Sequence, residues 1–592
     1  MLIPFSLTLV FTITGLLLML LMARAAWRHR NPPQPEAADH SASRELGTSA
    51  TNRWIQGLRI GFALLLLAVL GFHSYWVFKA DSSKDFARAK GTDARNRRLA
   101  ESALKGWVLD RGGKLEDALI RYRNDGGLIS RDYPLGEAAT HLTGYSDFVF
   151  GSGGMEFAFR DWLTEPASAL NQAVSPSPVG KDLKVSIDSR LQRETFALLK
   201  ATGKAAAAVV LLLPNNEVLA MASAPSFEPR SVTDEAAWRR LTEQAEEAQE
   251  ISPLVNRALG TLVTGGPAFY YRPGSTFKTF TAAVAIDSGM ADETFRCKAE
   301  GFTPPASGRA IRCYGGEVHG SIKLADAFKH SCNQYFAQLG LKLGRTRLSD
   351  YARRLRLAIS PDDTSPRGTG LWFIEHGDPK DFNSIFEPPV QRMNLSSEAS
   401  AFDVALQSIG QGFDDISVMQ MALLASAAAG ADGAYVAPTF EVGAQRKIIG
   451  QFISAQSAAE LRSLMGLVVK SGTAAGAFAS LDRGLSAGGK TGTADREMTE
   501  YDRSGKPVIY TDDEGNQRTG RIGVTDSWFI GFAPADKPQI AFAVMVEKGG
   551  AGAQAATPLA VKIIERAAQL GYLAGEFGQA GRLQPQNARR PQ

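Results

Sequence analysis

The chain has 592 residues, 44% of them hydrophobic, enough to bury at least two substantial cores besides any membrane segment. Its net charge of +4 is small for that length, no long basic run occurs in the globular part, and aromatic residues are not interleaved with Lys and Arg; nucleic acid is not an expected partner. Three cysteines are too few for a disulfide framework and seven histidines lack ligand spacing, so no metal or other cofactor is expected.

In chain order, residues 1–23 are predicted as a first transmembrane helix, uncharged from residue 2 and of bilayer length. Their start lacks basic residues and the apolar core is long for a cleavable signal, which favours a retained span. A second span is predicted over 59–78. The intervening segment, 24–58, holds Arg24, Arg28, Arg30, Arg44, Arg53 and, at the edge of the second span, Arg59 lies close by, against Glu36, Asp39 and Glu45. The positive-inside rule therefore places it in the cytoplasm as a flexible linker and the main body outside.

Residues 79–184 read as a stalk helix and a small α+β module, with a boundary near Val174 to Pro178. From 185 to 575 the pattern is that of a larger α+β domain. Leu183 to Ile187 alternates like a strand, a helix is predicted from Ser189 to Thr202, and Ala206 to Leu213 with Val218 to Ala222 read as a hairpin of buried strands. Helix-like segments dominate through Leu424, and strands return at Gly523 to Phe532 and Gln539 to Glu547. Strands at both ends of one domain imply a sheet shared by segments distant in sequence. Residues 576–592 are polar and predicted to be disordered.

The chemistry lies in three segments. Ser275-Thr-Phe-Lys278 places a hydroxyl and an amine on one face of a helix, where the amine can take the hydroxyl's proton. Pro273-Gly274 supplies a turn ahead of that helix, putting Ser275 in the first turn, where free N–H groups favour developing negative charge. Ser331-Cys-Asn333 and Lys490-Thr-Gly-Thr493 follow, the latter after the small residues Ala487-Gly488-Gly489 expected of a strand that a substrate backbone approaches closely. Two imitations are set aside: Ser102 to Lys105 is read as a solvated face, and Lys470-Ser-Gly-Thr473 as the exit of an apolar helix. His330 is left without a role, and Arg272, Gly410-Gln-Gly412 and Trp528 are read as structural. The polar segment Asp495 to Arg521 is read as an exposed excursion between two strands.

In order and spacing the three motifs resemble those of the penicillin-binding proteins, the serine D,D-transpeptidases and D,D-carboxypeptidases of bacterial cell-wall assembly. The resemblance covers roughly residues 100 to 570 and includes Lys105-Gly-Trp-Val-Leu-Asp-Arg-x-Gly113, similar to a class B amino-terminal motif with Lys105 in place of the usual arginine. His141 to Tyr145, Gly154-Met-Glu156, Ile187 to Gln192, Met221 to Pro225, Gly410 to Gly412 and Trp528 to Pro534 fall in the family's order. It implies an α+β transpeptidase domain, an antiparallel sheet with helices, on an elongated non-catalytic α+β pedestal. Class B relatives usually carry one anchor, so two predicted spans depart from the pattern.

The resemblance implies roles as well. Ser275 is the expected nucleophile and Lys278 its base, provided burial and the charge of Lys490 lower the pKa of Lys278. Ser331 is expected to shuttle a proton to the leaving amine and Asn333 to contact the substrate peptide. Lys490, Thr491, Gly492 and Thr493 are expected to line the substrate strand and meet a terminal carboxylate, and the backbone N–H groups of Ser275 and Thr493 to form the oxyanion hole. Stem peptides ending in D-Ala-D-Ala would be substrates and β-lactams their mimics. No glycan-polymerising motif appears near the amino end, so a multi-pass glycan polymerase of the shape, elongation, division and sporulation family is the expected partner at the cytoplasmic membrane. A carboxypeptidase or β-lactamase, and a catalytically idle sensor or scaffold, are the competing functions. Cys297 and Cys313 flank a Pro/Gly-rich loop and are a candidate disulfide in an oxidising compartment, while Cys332 is read as a small apolar residue packed inward.

Overall fold

The computed structural model describes residues 48–82, 104–125, 128–165, 180–247, 251–360, 363, 368–372, 379–412, 415–502, 506–511 and 516–573. The expected first span, the Val174 to Pro178 boundary and the 576–592 tail lie outside them. Residues Met1–Arg97 and Arg98–Gln592 form two units. In the first, one helix, Thr48–Ser82, contains an apolar stretch, Ile55–Tyr75, of mean hydropathy 2.0, long and apolar enough to cross a membrane. It starts earlier than the expected span, so the end of the expected flexible linker is helical.

In the second unit, α1 (Ser189–Lys200) leads into β1 (Ala206–Leu212) and β2 (Glu217–Ala224). Then come α2 (Lys278–Asp287), α3 (Leu324–Lys329), α4 (Asn333–Leu343), α5 (Val418–Ala429) and α6 (Ala455–Ser471). The chain ends on β3 (Gly488–Thr499), β4 (Arg521–Ala533), β5 (Ile540–Val546) and α7 (Ala556–Gln569). The five strands make one antiparallel sheet in the order β3-β4-β5-β1-β2, with Ala206 opposite Val546 and Leu212 opposite Ile540. β2 and β5 are buried at every position, so both faces of the sheet need cover. α5, itself buried throughout, packs on β1, β4 and β5, and α1 and α7 pack together and on β2, β4 and β5. Asp188 caps α1, accepting from the Arg190 and Leu191 N–H groups.

Two sequence expectations change. Of Leu183 to Ile187 only Leu183–Lys184 is a strand, paired in parallel with Val108–Leu109, because Ser186 instead donates its N–H to the Phe440 carbonyl. The segment from Asp495 to Arg521 is not wholly an excursion. β3 and β4 stay in register from Gly488 opposite Phe532 to Thr499 opposite Arg521, and a smaller hairpin, Ile509–Thr511 with Gln517–Thr519, stands at the far end. Alternation within the polar run explains this: Ala494 and Met498 are buried on the same face while Asp495 and its like point outward.

The motifs of the amino-terminal module meet one another. Lys105 and Glu156 form a buried ion pair at 3.0 Å, and Arg131 donates to the other Glu156 oxygen at 2.6 Å. Asp110 accepts from the Ser189 hydroxyl at 2.9 Å. Gln192 accepts from the Met221 N–H at 2.8 Å and donates to the carbonyls of Ala138 and Met221, tying this module to β2.

Candidate active site

A tight 3-10 turn, Gly274–Phe277, precedes α2 and carries Ser275; Lys278 is the first α-helical residue. Gly274 has φ +55°, and a Cβ there would lie 2.4 Å from the Thr493 carbonyl oxygen, so the turn can press against β3 only as glycine. Gly410, φ +76°, approaches from the other side, accepts the Gly274 N–H at 2.9 Å, and a Cβ on it would lie 1.9 Å from the Gly274 oxygen. Gln411 donates to the Thr493 carbonyl at 3.3 Å. The Gly-Gln-Gly turn thus braces the serine turn and β3 together.

Lys278 is fully buried, and its Nζ lies 3.0 Å from Ser275 Oγ, 2.7 Å from the Ser331 carbonyl, 2.6 Å from Asn333 Oδ1 and 3.2 Å from Ser331 Oγ. The two shortest contacts are to oxygens that can only accept. A neutral amine has two N–H bonds and one lone pair, so once both hydrogens are committed there the lone pair is left for the Ser275 hydroxyl. Among the described residues no carboxylate pairs with Lys278. Burial lowers its pKa to about 8, against an opposing pull from the thiols of Cys332 and Cys313.

Ser331 and Asn333 stand at the junction of α3 and α4. Ser331 has φ +58°, unusual for a non-glycine residue, and its strained backbone turns its carbonyl toward Lys278. Asn333 is the first residue of α4, behind the cap residue Cys332, whose sulfur accepts the Tyr335 N–H at 3.4 Å. The Asn333 amide donates to the Arg312 carbonyl at 2.9 Å, which fixes its oxygen toward Lys278.

Lys490 lies on edge strand β3, but its side chain turns inward. It is fully buried, its Nζ is 5.6 Å from the Phe328 ring centre, and it donates to the Thr491 carbonyl at 3.1 Å. Burial and then the Lys278 charge hold its pKa well below the usual lysine value. Repulsion between two amines acts on both, so the expected influence of Lys490 on Lys278 stands beside that of burial, while the Lys490 side chain itself is shut away from solvent. A Cβ on Gly492 would fall 2.7 Å from Thr276 Cγ2, so this strand passes directly over the serine turn. Thr493 Oγ1 accepts the Gly552 N–H at 3.2 Å.

Two features escaped the sequence reading. Thr473, dismissed with its imitation motif, follows the end of α6 and shares a 2.6 Å hydrogen bond with the Thr491 hydroxyl. Cys297 and Cys313 do approach, but as free thiols 3.6 Å apart, and Cys332 and His319 join them. His330 follows the last residue of α3, and Arg272 donates to the Asp495 carbonyl.

Residues 206–565 match the family model described as the penicillin binding protein transpeptidase domain. The chain belongs to that family. Its relatives place it among the class B penicillin-binding proteins. The peptidoglycan D,D-transpeptidase PbpA of Mycobacterium tuberculosis is 28% identical over 536 residues, spanning 86% of this chain and 97% of that one. Stage V sporulation protein D of Bacillus subtilis is 26% identical over 70% of this chain and 60% of its own length. Among solved structures, the ceftriaxone acyl-enzyme complex of penicillin-binding protein A from M. tuberculosis aligns at a TM-score of 0.62 with 24% identity, covering 79% of this chain and 99% of that one; it shows the shared fold.

Proposed function

We propose that this penicillin-binding protein is a serine D,D-transpeptidase that cross-links peptidoglycan stem peptides. The contact between Ser275 Oγ and the buried, carboxylate-free amine of Lys278, 3.0 Å apart, carries the reading. Ser275 Oγ attacks the carbonyl of the penultimate D-alanine and its proton passes to Lys278. The backbone N–H groups of Ser275 and Thr493 receive the developing oxyanion. The bond to the terminal D-alanine breaks, and a proton relayed through Ser331 from Lys278 leaves with its amine. An amine of a neighbouring stem peptide then attacks the Ser275 ester, its surplus proton returns through the same relay, and Ser275 is released. Asn333 holds Lys278 in place, while Thr491 and Thr493 on β3, together with Gly492, meet the substrate strand and its terminal carboxylate. A β-lactam enters by the first step and stops at the ester.

The relatives' names support the reaction, and the apolar Ile55–Tyr75 stretch supports attachment to a membrane; the arginine excess of residues 24–58 supports the cytoplasmic membrane, with the catalytic unit on the extracytoplasmic face. A multi-pass glycan polymerase of the shape, elongation, division and sporulation family would supply the strands to be linked. Labelled penicillin tests the site: the full chain should acylate and Ser275→Ala should not, and labelling that survives this substitution would overturn the assignment. Release of D-alanine with formation of cross-linked product from lipid-linked glycan strands then separates transfer from hydrolysis.

A further inference from the structure

Directly behind the Ser331-Cys-Asn333 turn, the sulfurs of Cys297, Cys313 and Cys332 and the ring of His319 each offer one ligand atom, all within 4.8 Å of one another. Four of the six edges are close contacts. Cys313 lies 3.6 Å from both Cys297 and Cys332, and His319 Nδ1 lies 3.5 Å from Cys297 and 3.8 Å from Cys313. A tetrahedral zinc ion with Zn–S of about 2.3 Å and Zn–N of about 2.0–2.1 Å requires S···S edges of about 3.8 Å and S···N edges of about 3.6 Å. A disulfide would instead single out one pair at bonding distance, whereas Cys313 is equidistant from two partners.

The surroundings also suit a metal. All three cysteines are buried, and His319 is 13% exposed, with Nδ1 turned to the sulfurs and Nε2 3.5 Å from the Glu317 carboxylate. A carboxylate on the outer ring nitrogen is the arrangement that fixes a ligating imidazole's tautomer and raises its basicity. The Tyr335 N–H points at the Cys332 sulfur, as suits a thiolate. Three sulfurs and one nitrogen in one buried cluster are the donor set of a structural Zn²⁺ site.

We propose that Cys297, Cys313, His319 and Cys332 bind one structural zinc ion, which clamps the turn carrying Ser331 and Asn333. Binding releases the three thiol protons to solvent. The loop bearing Cys297, Cys313 and His319 spans residues 297–319, and on its own it is held to the catalytic turn mainly by the Asn333 bond to Arg312 and the paired bonds of Gln334 to Lys298. Zinc would tie it to Cys332, whose neighbours on either side both contact Lys278.

The test is elemental analysis of the full-length, detergent-solubilised protein purified without chelator. One zinc per chain is expected, replaceable by Co²⁺ with the sulfur-to-metal charge-transfer absorption of a thiolate site, and three alkylatable thiols after denaturation with chelator. His319→Ala should lose the metal at unchanged helix content by circular dichroism, and Glu317→Gln should keep the stoichiometry with affinity reduced ~10-fold or more. Absence of zinc under competition with a weak chelator, or a Cys297–Cys313 disulfide leaving a single alkylatable thiol, overturns the site. The clamp has its own readout, which rests on the proposed acylation chemistry. Chelation should slow penicillin labelling and zinc should restore it; labelling unaffected by removal of the metal overturns the clamp while leaving the site.

Discussion

Lys105 and Lys278 are both buried side chains one short bond from their partners, yet their surroundings are opposites. Lys105 faces the Glu156 carboxylate, which Arg131 shares, so the charges inside the amino-terminal module are matched. Although burial alone would raise it, the charges of Arg131 and Lys105 hold the Glu156 pKa at about 2. Lys278 faces a carbonyl, an amide oxygen and two hydroxyls, and burial brings its pKa to about 8. A cation balanced by an anion is a fastening; one left unbalanced is close to giving up its proton at working pH. The pair sets a buried lysine held by an anion against one whose proton is loosely held.

The sharpest way to break this contrast is Lys278→Met. It should lower the rate of penicillin acylation by about 10²–10⁴-fold, while the melting temperature at pH 7 stays the same or rises, because an uncompensated charge has been removed. A fall in melting temperature comparable to that of a broken ion pair would mean that Lys278 is also a fastening. Glu156→Gln should do the reverse: it leaves Lys105 and Arg131 buried without their anion, costing about 3–5 kcal/mol in denaturant unfolding. The Ser275 site of the folded variant should label normally.

Titration sharpens the same comparison. Glu156, depressed in the folded state to about 2 from 4.5, contributes stability that is present above its unfolded pKa and is lost as the pH falls between the two values. Lys278 works the other way. Its folded pKa of about 8 lies below its ordinary 10.5, so its cost to stability is present below pH 8 and is relieved as the pH climbs toward 10.5. Acylation should rise with pH through about 8 and then level off; a profile flat from pH 6 to 9 would remove Lys278 as the base. The smallest effect expected is that of Thr473→Val, which deletes the hydroxyl bonded to Thr491. Loss of one neutral hydrogen bond, about 1 kcal/mol, should slow acylation about fivefold, read from single-turnover labelling.

Most of the sheet was legible because its strands are short apolar runs bounded by Gly and Pro. β1, β2, β4 and β5 lie within a few residues of where periodicity places them. β3 was harder to bound: its polar outward residues mask the buried Ala494 and Met498, so the sequence looks like a loop where it is a half-buried edge. The three segments that meet around Lys278 were legible as motifs because their spacing is tied to helical geometry and their order to a family pattern. The direction of the Lys490 side chain was not, since alternation along a strand does not say which face is covered. Nor was the sulfur cluster. Its ligands are scattered over residues 297–332 at spacings that match no short metal motif, and only the packing of the loop against the start of α4 brings them together.

The order of the sheet has a consequence for how the molecule comes into being. β1 and β2 are among the first segments of the catalytic unit to be made, but the strand that β1 must lie beside, Ile540–Val546, is nearly the last. A contact spanning so much chain is slow to form, and until it forms an apolar hairpin lacks its neighbour. The Lys490 strand joins the same sheet only through β4. The Ser275 turn, which β3 overlies, therefore has no finished pocket until the last strands of the chain have been delivered.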